Sequence, residues 1–322
     1  MILVLRALGI GDLATAVPAL RGLRRAFPDR TLALAAPQWL APLVELVGGI
    51  DRLVPVAGLA PYRWPVPPPY WAVNLHGRGP QSHRLLRAAA PRLLRAFRCR
   101  EAGHLDGPRW IGDEHETRRW CRLLSWYGVA SDPGDLALRR PPPGPLPSGV
   151  TVLHPGCKEP QRRWPPARFA ALARRLVADG HRVVVSGSAA DRPLAAGVAA
   201  LAGLPPTAVL AGRTPIAELA DLISRARLLI SADTGVGHLA TAYRTPSVLL
   251  FGPTSPARWG PPVVHRWHRV LWCENLGSMR CESGTHPALA AIGVDAVLAA
   301  AQQVDVAATP RLQAVSDATA AQ

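Results

Sequence analysis

The stretch from Ala226 to Pro253, ARLLISADTGVGHLATAYRTPSVLLFGP, limits the folds open to this chain more than any other segment. An apolar run rich in β-forming residues, Leu228 to Ile230, is followed by polar residues and glycines, and apolar residues then recur at helical spacing. After Thr245-Pro246, the apolar run from Ser247 to Phe251 predicts another buried strand. The segment is therefore predicted to form a strand, a helix and a second, parallel strand.

The turn that opens the helix of this unit is predicted to bind an anion. The amide groups of Thr234, Gly235 and Val236 would lie in the first turn, where backbone N–H groups lack a partner within the helix. The helix dipole also favours negative charge at that end. A phosphate or diphosphate is therefore the ligand that we expect next to Thr234.

Strand and helix patterns alternate in two successive series, which a proline-rich segment separates. The segment RRPPPGPLPSG, from Arg139 to Gly149, can sustain neither a helix nor a central strand. We therefore predict an α/β protein with two doubly wound, Rossmann-like domains that face each other across a cleft. The predicted parts are an N-terminal domain at 1–140, a linker at 141–149, a C-terminal domain at 150–305 and a disordered tail at 306–322.

Other patterns predict individual elements within these two domains. In the N-terminal domain, a turn at Gly9 to Asp12 is predicted to precede a helix from Leu13 to Phe27. Arginines alternate with Leu-Leu pairs between Ser82 and Arg100, which predicts an amphipathic helix with a basic stripe at 84–98. A solvated helix face is the favoured interpretation of this stripe over a membrane or acceptor contact. In the C-terminal domain, a short strand is predicted at Ala208 to Leu210.

The chain carries a large excess of positive charge, with 37 Lys and Arg against 22 Asp and Glu and a net charge of +15. Such an excess favours an anionic partner, which could be a nucleotide, an acidic acceptor, a membrane surface or a nucleic acid. Nearly all of the basic residues are arginines, and the chain is also rich in Ala, Gly and Pro. Genomic composition explains the same excess equally well, so charge alone selects no partner.

The sequence predicts a cytoplasmic protein whose contact with the inner membrane would be peripheral. The start, MILVLRALGIGD, does not have the pattern of a secretory signal. The longest uncharged run, Leu194 to Gly212, is interrupted by Pro205-Pro206 and does not qualify as a membrane span. Five cysteines form no CxxC pair, so we expect reduced thiols and neither a zinc site nor a disulfide framework.

Gly9, Gly11 and Ala14 fit the G-x-G-x-x-A pattern of dinucleotide-binding enzymes. The second predicted strand ends in Ala35-Ala36-Pro37, however, and offers no acidic residue for a ribose. A nicotinamide-dependent enzyme is therefore disfavoured.

Four loops follow predicted strands and should lie at the carboxyl ends of the two sheets, where α/β proteins bind ligands. The loop HPGCKEPQRRWP contains Lys158, Arg162 and Arg163, which could surround a diphosphate together with the amides after Asp233. Solvated loop charges are the alternative interpretation. The four loops are Gly9 to Asp12, His154 to Trp164, Ser186 to Asp191 and Asp233 to His238.

Two further side chains in these loops have two possible roles each. Asp12 could cap the helix that follows it, or it could act as a base toward a hydroxyl group. His238, one turn into its helix, could donate a hydrogen bond to a phosphate oxygen or simply pack.

Taken together, the motifs resemble those of glycosyltransferase family 9, the heptosyltransferase-like enzymes. That family shows a G-D opening followed by a proline, an H-P-G loop that ends in a basic pair and W-P, an S-x-D-T-G-x-x-H-L-A segment, and a T-P-x-x-x-L-F-G-P turn. The matching residues are Gly11-Asp12 with Pro18, His154-Pro155-Gly156 with Arg162-Arg163-Trp164-Pro165, Ser231 with Asp233-Thr234-Gly235 and His238-Leu239-Ala240, and Thr245-Pro246 with Phe251-Gly252-Pro253.

The resemblance implies a GT-B enzyme that transfers a sugar from a nucleotide diphosphate donor with inversion and without a metal or other cofactor. Asp12 takes the place of the family's base, and Arg6 that of a nearby basic residue. Arg162 stands where the family has a phosphate-binding Lys. The remaining donor-binding positions are Gly156, Arg163, Thr214, Asp233, Thr234, Gly235 and His238. Ser188-Ala189-Ala190 replaces the family's acidic stretch and leaves only Asp191, so the resemblance does not identify the nucleotide.

Family precedent favours a heptose donor and a lipopolysaccharide core acceptor, while another glycan, a glycolipid or a small molecule stays open as acceptor. Two other functions are weighed against this one. Another two-domain nucleotide-sugar enzyme, such as an epimerase, would turn over its donor without an acceptor. A basic, non-catalytic module would bind an anionic polymer, but the chain lacks the patterns of nucleic-acid-binding modules, and no nucleic acid partner is expected.

Overall fold

The computed structural model describes residues 1–279, 281 and 284–305. The chain divides into two compact units, of which the first comprises Met1–Arg139 and the second begins at Arg140. The predicted tail at 306–322 lies outside the described residues.

The N-terminal unit is built on a five-stranded parallel sheet with the strand order β3-β2-β1-β4-β5. The order reverses between β1 and β4, and a crevice outside the carboxyl ends of two such strands is the usual binding site of this fold. Its elements are β1 Ile2–Leu5, α1 Ile10–Ala26, β2 Leu32–Ala36, α2 Ala41–Val47, β3 Arg52–Pro55, β4 Trp71–Asn74, α3 Gln81–Arg87, β5 Leu93–Arg95 and α4 Glu116–Trp126.

The second unit contains another five-stranded parallel sheet, with the order β10-β9-β8-β6-β7, and here the reversal lies between β6 and β8. Its strands are β6 Thr151–His154, β7 Val183–Val185, β8 Leu228–Ala232, β9 Ser247–Phe251 and β10 His268–Trp272. Its helices are α5 Pro166–Ala178, α6 Arg192–Ala202, α7 Ile216–Ser224, α8 Gly235–Tyr243, α9 Pro256–Trp259, α10 Glu274–Gly277, α11 Pro287–Ala290 and α12 at residues 294–305.

Strand β1 of the first sheet and strand β8 of the second are buried along their whole length. Ile2 to Leu5 in β1 and Leu228 to Ile230 in β8 are each 0% exposed. Such continuous apolar runs are typical of parallel strands that are covered on both faces. The prediction of two doubly wound, Rossmann-like units is therefore confirmed, and the strand–helix–strand unit predicted between Ala226 and Pro253 is present as β8, α8 and β9.

Three local predictions are wrong. Helix α1 begins at Ile10, so Asp12 belongs to the first turn of the helix and not to a turn before it. Residues 208–210 form no strand, and only an isolated bridge joins Val209 to Val185. The helix predicted over 82–100 ends at Arg87, and the chain continues into strand β5.

The basic stripe at 84–98 therefore does not exist as a helix face, and its arginines have separate partners. Arg84 and Arg87 donate to the carbonyl groups of Glu101 and Gly103 at 2.9 and 3.1 Å. Arg95 lies over the rings of Trp71 and Tyr127. The spacing of these arginines thus reflects three different local contacts.

The proline-rich segment lies against helix α7 of its own unit. Gly144 N–H donates to Asp221 Oδ2 at 3.0 Å, and Arg225 Nη2 donates to the carbonyl groups of Gly144 and Leu146. Arg225 also forms an ion pair with Asp221. These contacts hold the segment without regular secondary structure.

Across the described part of the chain, no helix has both the length and the apolar character needed to cross a membrane.

Buried His268 makes the stability of the second unit dependent on pH. Burial, with a smaller contribution from His265, lowers the pKa of His268 to about 3, and its Nδ1 lies 2.8 Å from Ser247 Oγ. The unfolded chain takes up a proton below about pH 6.5, whereas the folded chain does not. We therefore expect the free energy of unfolding to fall as pH drops from about 6.5 toward 3, with His268 accounting for roughly 2 kcal/mol at about pH 5.

Urea unfolding near pH 7.5 and near pH 5 measures this effect. The His268→Gln variant should lose less stability than the unmodified chain on acidification. An equal loss in both proteins would contradict the assignment to His268.

Candidate active site

Arg6 lies at the point where the strand order of the N-terminal sheet reverses. The parallel register aligns Leu5 of β1 with Asn74 of β4, so the residues that follow each strand meet at the carboxyl edge of the sheet. The Arg6 guanidinium donates to the carbonyl group of Leu75, which follows β4. The first sequence-predicted site residue is therefore built into the sheet edge.

The Arg6 side chain is 1% exposed and holds Asp12 by two contacts. Its Nε donates to the Asp12 carbonyl oxygen at 2.9 Å, and its Nη2 lies 3.2 Å from Asp12 Oδ1. Nη2 also lies 3.3 Å from Thr15 Oγ1, and the guanidinium carbon is 4.6 Å from the centre of the Trp120 ring. Arg6 thus fixes the first turn of α1 relative to the sheet.

Asp12 is both a cap and a partly open carboxylate. Its Oδ2 accepts a hydrogen bond from Gly9 N–H at 3.2 Å, which satisfies a backbone donor at the start of α1. The side chain is nevertheless 28% exposed, in contrast to buried Arg6. The two roles weighed for Asp12 from the sequence are therefore compatible, because capping leaves the carboxylate accessible.

His76, which follows β4, belongs to the same group of side chains. Burial and then the charge of Arg6 lower the pKa of His76 to about 4, with Asp12 acting in the opposite direction. Burial lowers the pKa of Arg6 to about 10, and Asp12 partly offsets this. At neutral pH, Arg6 is therefore charged and His76 is neutral.

In the second unit, Arg162 and Asp233 meet where the strand order reverses between β6 and β8. The Arg162 Nη2 donates to the Asp233 carbonyl oxygen at 2.7 Å and to Asp233 Oδ2 at 2.5 Å. Asp233 is 8% exposed, and burial raises the pKa of its carboxyl group against the opposing effect of Arg162. This ion pair anchors the H-P-G loop beside the start of α8.

Thr234 is the N-cap of α8 and has an extended backbone, with φ at −143°, and Gly235 is the first helical residue. The Thr234 Oγ1 atom is buried and has no hydrogen-bond partner within the described part of the chain. His238 packs its ring against the edge of Trp259, with 5.8 Å between ring centres. Thr234, His238 and Trp259 line a small pocket that also includes Asp233 and Phe251.

A third loop group surrounds Asp191. Its Oδ2 accepts hydrogen bonds from the Ser188 N–H at 3.0 Å and the Ser188 hydroxyl at 2.6 Å, while its Oδ1 lies 3.9 Å from Arg163 Nη2. Arg163 Nε donates to the Cys157 carbonyl at 2.8 Å. A Cβ atom on Gly156 would lie 2.4 Å from Asp191 Cγ, so glycine allows the two loops to touch.

Thr214 forms a hydrogen bond within its own segment. Its hydroxyl donates to the Leu210 carbonyl at 2.9 Å. Gly212 N–H donates to the Gly187 carbonyl at 3.1 Å, which holds the segment before Thr214 against the Ser186 to Asp191 loop. Lys158 is exposed and contributes to neither ion pair described above.

The predicted residues therefore form one group in the N-terminal unit and two loop groups in the second unit. Arg6 and Asp12 lie together in the N-terminal unit, and the predicted donor-binding residues lie on neighbouring loops at the carboxyl edge of the second sheet. Sequence reasoning missed His76, Glu116 and Arg119. The Asn74-Leu75-His76-Gly77 sequence at a strand end was a usable signal for His76, whereas nothing in the helical pattern of α4 marked its charged residues as buried.

The chain matches the model of "Glycosyltransferase family 9 (heptosyltransferase)" over residues 132–288. It is 24% identical over 310 residues to lipopolysaccharide heptosyltransferase 2 of Escherichia coli K12, which covers 82% of this chain and 86% of that protein. It is 37% identical over 162 residues to lipopolysaccharide heptosyltransferase 1 of Pseudomonas aeruginosa, which covers 47% and 44%. These matches support a family 9 glycosyltransferase.

A solved structure supports the same fold for the whole glycosyltransferase. The structure of the E. coli ADP-heptose lipopolysaccharide heptosyltransferase II matches with a TM-score of 0.71 and 22% identity, and covers 95% of this chain and 98% of that one. Both units therefore have the GT-B type of Rossmann-like architecture. The family match at 132–288 includes Arg162 and Asp233 but not Asp12.

Gly156 offers a test of the contact between the H-P-G loop and Asp191. We expect Gly156→Ala to push the Asp191 carboxylate away from Ser188 and to weaken nucleotide binding by about tenfold, because the added Cβ would overlap Asp191. Isothermal titration with a panel of nucleoside diphosphates measures the change in affinity.

Gly197→Ala is the matched control. Gly197 is exposed in α6, and a Cβ there meets no atom within 4 Å. This variant should bind nucleoside diphosphates like the unmodified enzyme and gain about 0.5 to 1 kcal/mol in stability. Equal nucleotide affinity in both variants would show that the Gly156 contact does not shape the binding site.

Proposed function

We propose that this glycosyltransferase moves a heptose from ADP-heptose to a hydroxyl group of a lipopolysaccharide core acceptor. The heptose and the acceptor class come from the relatives, which are lipopolysaccharide heptosyltransferases, and ADP comes from the ADP-heptose enzyme of E. coli. The main support for a donor site here is the ion pair of Arg162 with Asp233, which lies beside the N-terminus of α8. Positive side chains and free helix amides at one sheet edge are what a diphosphate requires.

The proposed reaction is a single displacement with inversion. The Asp12 carboxylate takes the proton of the acceptor hydroxyl while the hydroxyl oxygen forms a bond to the anomeric carbon of the donor. The bond from that carbon to the diphosphate oxygen breaks, and its electron pair leaves with ADP. Asp12 suits this role because its carboxylate is partly exposed while Arg6 holds it in place.

The second unit supplies the stabilisation of the leaving group. Negative charge develops on the diphosphate oxygen as the sugar departs, and groups that interact with this charge more strongly in the transition state accelerate the reaction. The backbone amides at the start of α8, the Arg162 guanidinium and the His238 ring are the proposed groups. The buried Thr234 hydroxyl, which lacks a partner among the described residues, is a further donor for a phosphate oxygen.

We also propose that the reaction needs no metal ion, because arginine, histidine and helix amides provide the positive charge at the diphosphate. Transfer should then persist at its full rate in excess EDTA. Loss of transfer in EDTA and recovery on adding a divalent cation would contradict this part of the proposal.

A panel of nucleoside diphosphates tests the donor site. ADP should raise the melting temperature in proportion to its affinity, and more than UDP or GDP at equal concentration. Release of ADP from ADP-heptose should then depend on an added acceptor with a deacylated lipopolysaccharide core. No stabilisation by any nucleotide would overturn the donor site, and donor turnover without acceptor would favour an epimerase.

A further inference from the structure

A buried row of alternating charges extends inward from Asp12. Arg6 Nη2 lies 3.2 Å from Asp12 Oδ1 and 3.7 Å from Glu116 Oε2, and the other carboxylate oxygen of Glu116 is paired with Arg119. Asp12 is 28% exposed, whereas the other three side chains are at most 6% exposed. The row therefore has one open end, at Asp12.

Two carboxylates and two guanidinium groups make this row electrically neutral. Glu116 and Arg119 are both on helix α4, three residues apart, and α4 packs against α1, which carries Asp12. Arg119 also donates to the carbonyl groups of Ile111, Gly112 and Glu114 at 2.9 to 3.0 Å. Those carbonyl groups satisfy hydrogen bonds but cannot neutralise a charge, so Glu116 and Asp12 together balance the two buried arginines.

We propose that Glu116 is a positioning residue for Asp12: it balances and holds Arg6, and so keeps the Asp12 carboxylate basic enough to accept the acceptor's proton. This inference rests on the proposed function, in which Asp12 is the base. Without the charge of Glu116, Arg6 and Arg119 would stabilise the Asp12 carboxylate more strongly. The carboxylate would then take up a proton only at lower pH and with a smaller driving force.

The other groups that face Asp12 leave its charge balance unchanged near neutral pH. His76, from the end of β4, is neutral there because burial and Arg6 lower its pKa to about 4. Thr15 Oγ1 and the Gly9 N–H, both on the Asp12 side of the row, carry no charge. Trp120 from α4 lies over Arg6 and is also uncharged. Changes on α4 should therefore reach Asp12 through Arg6.

The inference is tested by the direction in which the pH profile of kcat shifts in variants of the enzyme. In Glu116→Gln, the acid limb of the profile should move to lower pH by about one unit, and kcat at neutral pH should fall roughly tenfold with an unchanged KM for ADP-heptose. In Arg119→Gln, the acid limb should move to higher pH. The double variant restores neutrality and should return the limb to its original position.

Glu116→Asp keeps the charge and should also keep the limb in place, although its shorter side chain lowers kcat. A purely structural role predicts a different result, in which Glu116→Gln loses activity or stability and the limb does not move. If Glu116→Gln fails to fold, as judged by circular dichroism, the pH profiles of Arg119→Gln and Glu116→Asp are measured instead. An unmoved limb in Arg119→Gln would then overturn the inference.

A readout without catalysis separates this inference from the proposed function. Carbon-13 NMR of the full chain labelled at the aspartate carboxyl carbons follows the protonation of Asp12, whose resonance is the one lost in Asp12→Asn. Its titration midpoint should move down in Glu116→Gln and up in Arg119→Gln. If Asp12→Asn abolishes transfer but neither midpoint moves, only the role of Glu116 is wrong. If both midpoints move but Asp12→Asn retains transfer, Asp12 is not the base, and the proposed function fails.

Discussion

Asp12→Asn should lower the rate of heptosyl transfer by about 10² to 10⁴-fold and leave the affinity for ADP unchanged. The amide has nearly the shape of the carboxylate but cannot take a proton from the acceptor hydroxyl, and general base catalysis contributes an effect of that size. Asp12 is in the N-terminal unit, whereas the proposed nucleotide-binding residues are in the second. Steady-state kinetics and titration with ADP measure the two quantities separately.

Asp29→Asn is the matched control for this experiment. It makes the same chemical change at an exposed position of the same unit, outside the group around Arg6. Its transfer rate should equal that of the unmodified enzyme. A similar rate in Asp12→Asn would remove Asp12 from the reaction, and a loss confined to ADP affinity would assign it a different role.

Arg162→Met should lower kcat/KM for the donor by about 10² to 10³-fold, the usual cost of removing one group that stabilises a developing negative charge. The variant also leaves the buried Asp233 carboxylate without its cationic partner, which should weaken the N-terminal turn of α8 and lower stability. Restoring part of that stability with Asp233→Asn in the same chain would show that the unpaired carboxylate caused the loss.

Arg162→Lys should retain most of the activity that Arg162→Met loses. Both hydrogen bonds to Asp233 come from the single Nη2 atom, and one lysine ammonium can donate both. Arg174→Met provides a control, because Arg174 is exposed on α5 and donates to the Leu201 carbonyl away from the site. If kcat/KM fell as much in Arg162→Lys as in Arg162→Met, the diphosphate would depend on the two-pronged geometry of the guanidinium and not on its charge.

Strands β2, β8 and β9 were predictable because each is a continuous apolar run that turn residues follow. The segment 82–100 was not predictable from spacing, because its second half is a strand that exists only by pairing with β4. Ala90, with φ at +48°, breaks the helical pattern where the chain reverses.

The residues of the candidate site could be predicted from the sequence, but the contacts between them could not. Motifs and strand ends indicated Asp12, Arg162 and Asp233 individually. The pairing of Arg162 with Asp233 joins residues 71 positions apart and depends on the neighbouring positions of β6 and β8. Glu116 was not predictable at all, because a Glu three residues before an Arg on a helix is most often an exposed pair.

The configuration of the product at its anomeric carbon tests the central claim most directly. The enzyme would be given ADP-heptose of known anomeric configuration and a deacylated core acceptor, and the one-bond carbon–hydrogen coupling of the new glycosidic linkage would be measured by NMR. Direct attack by a hydroxyl group that Asp12 deprotonates requires an inverted configuration. A retained configuration would require a second displacement and would contradict the single-displacement role given to Asp12.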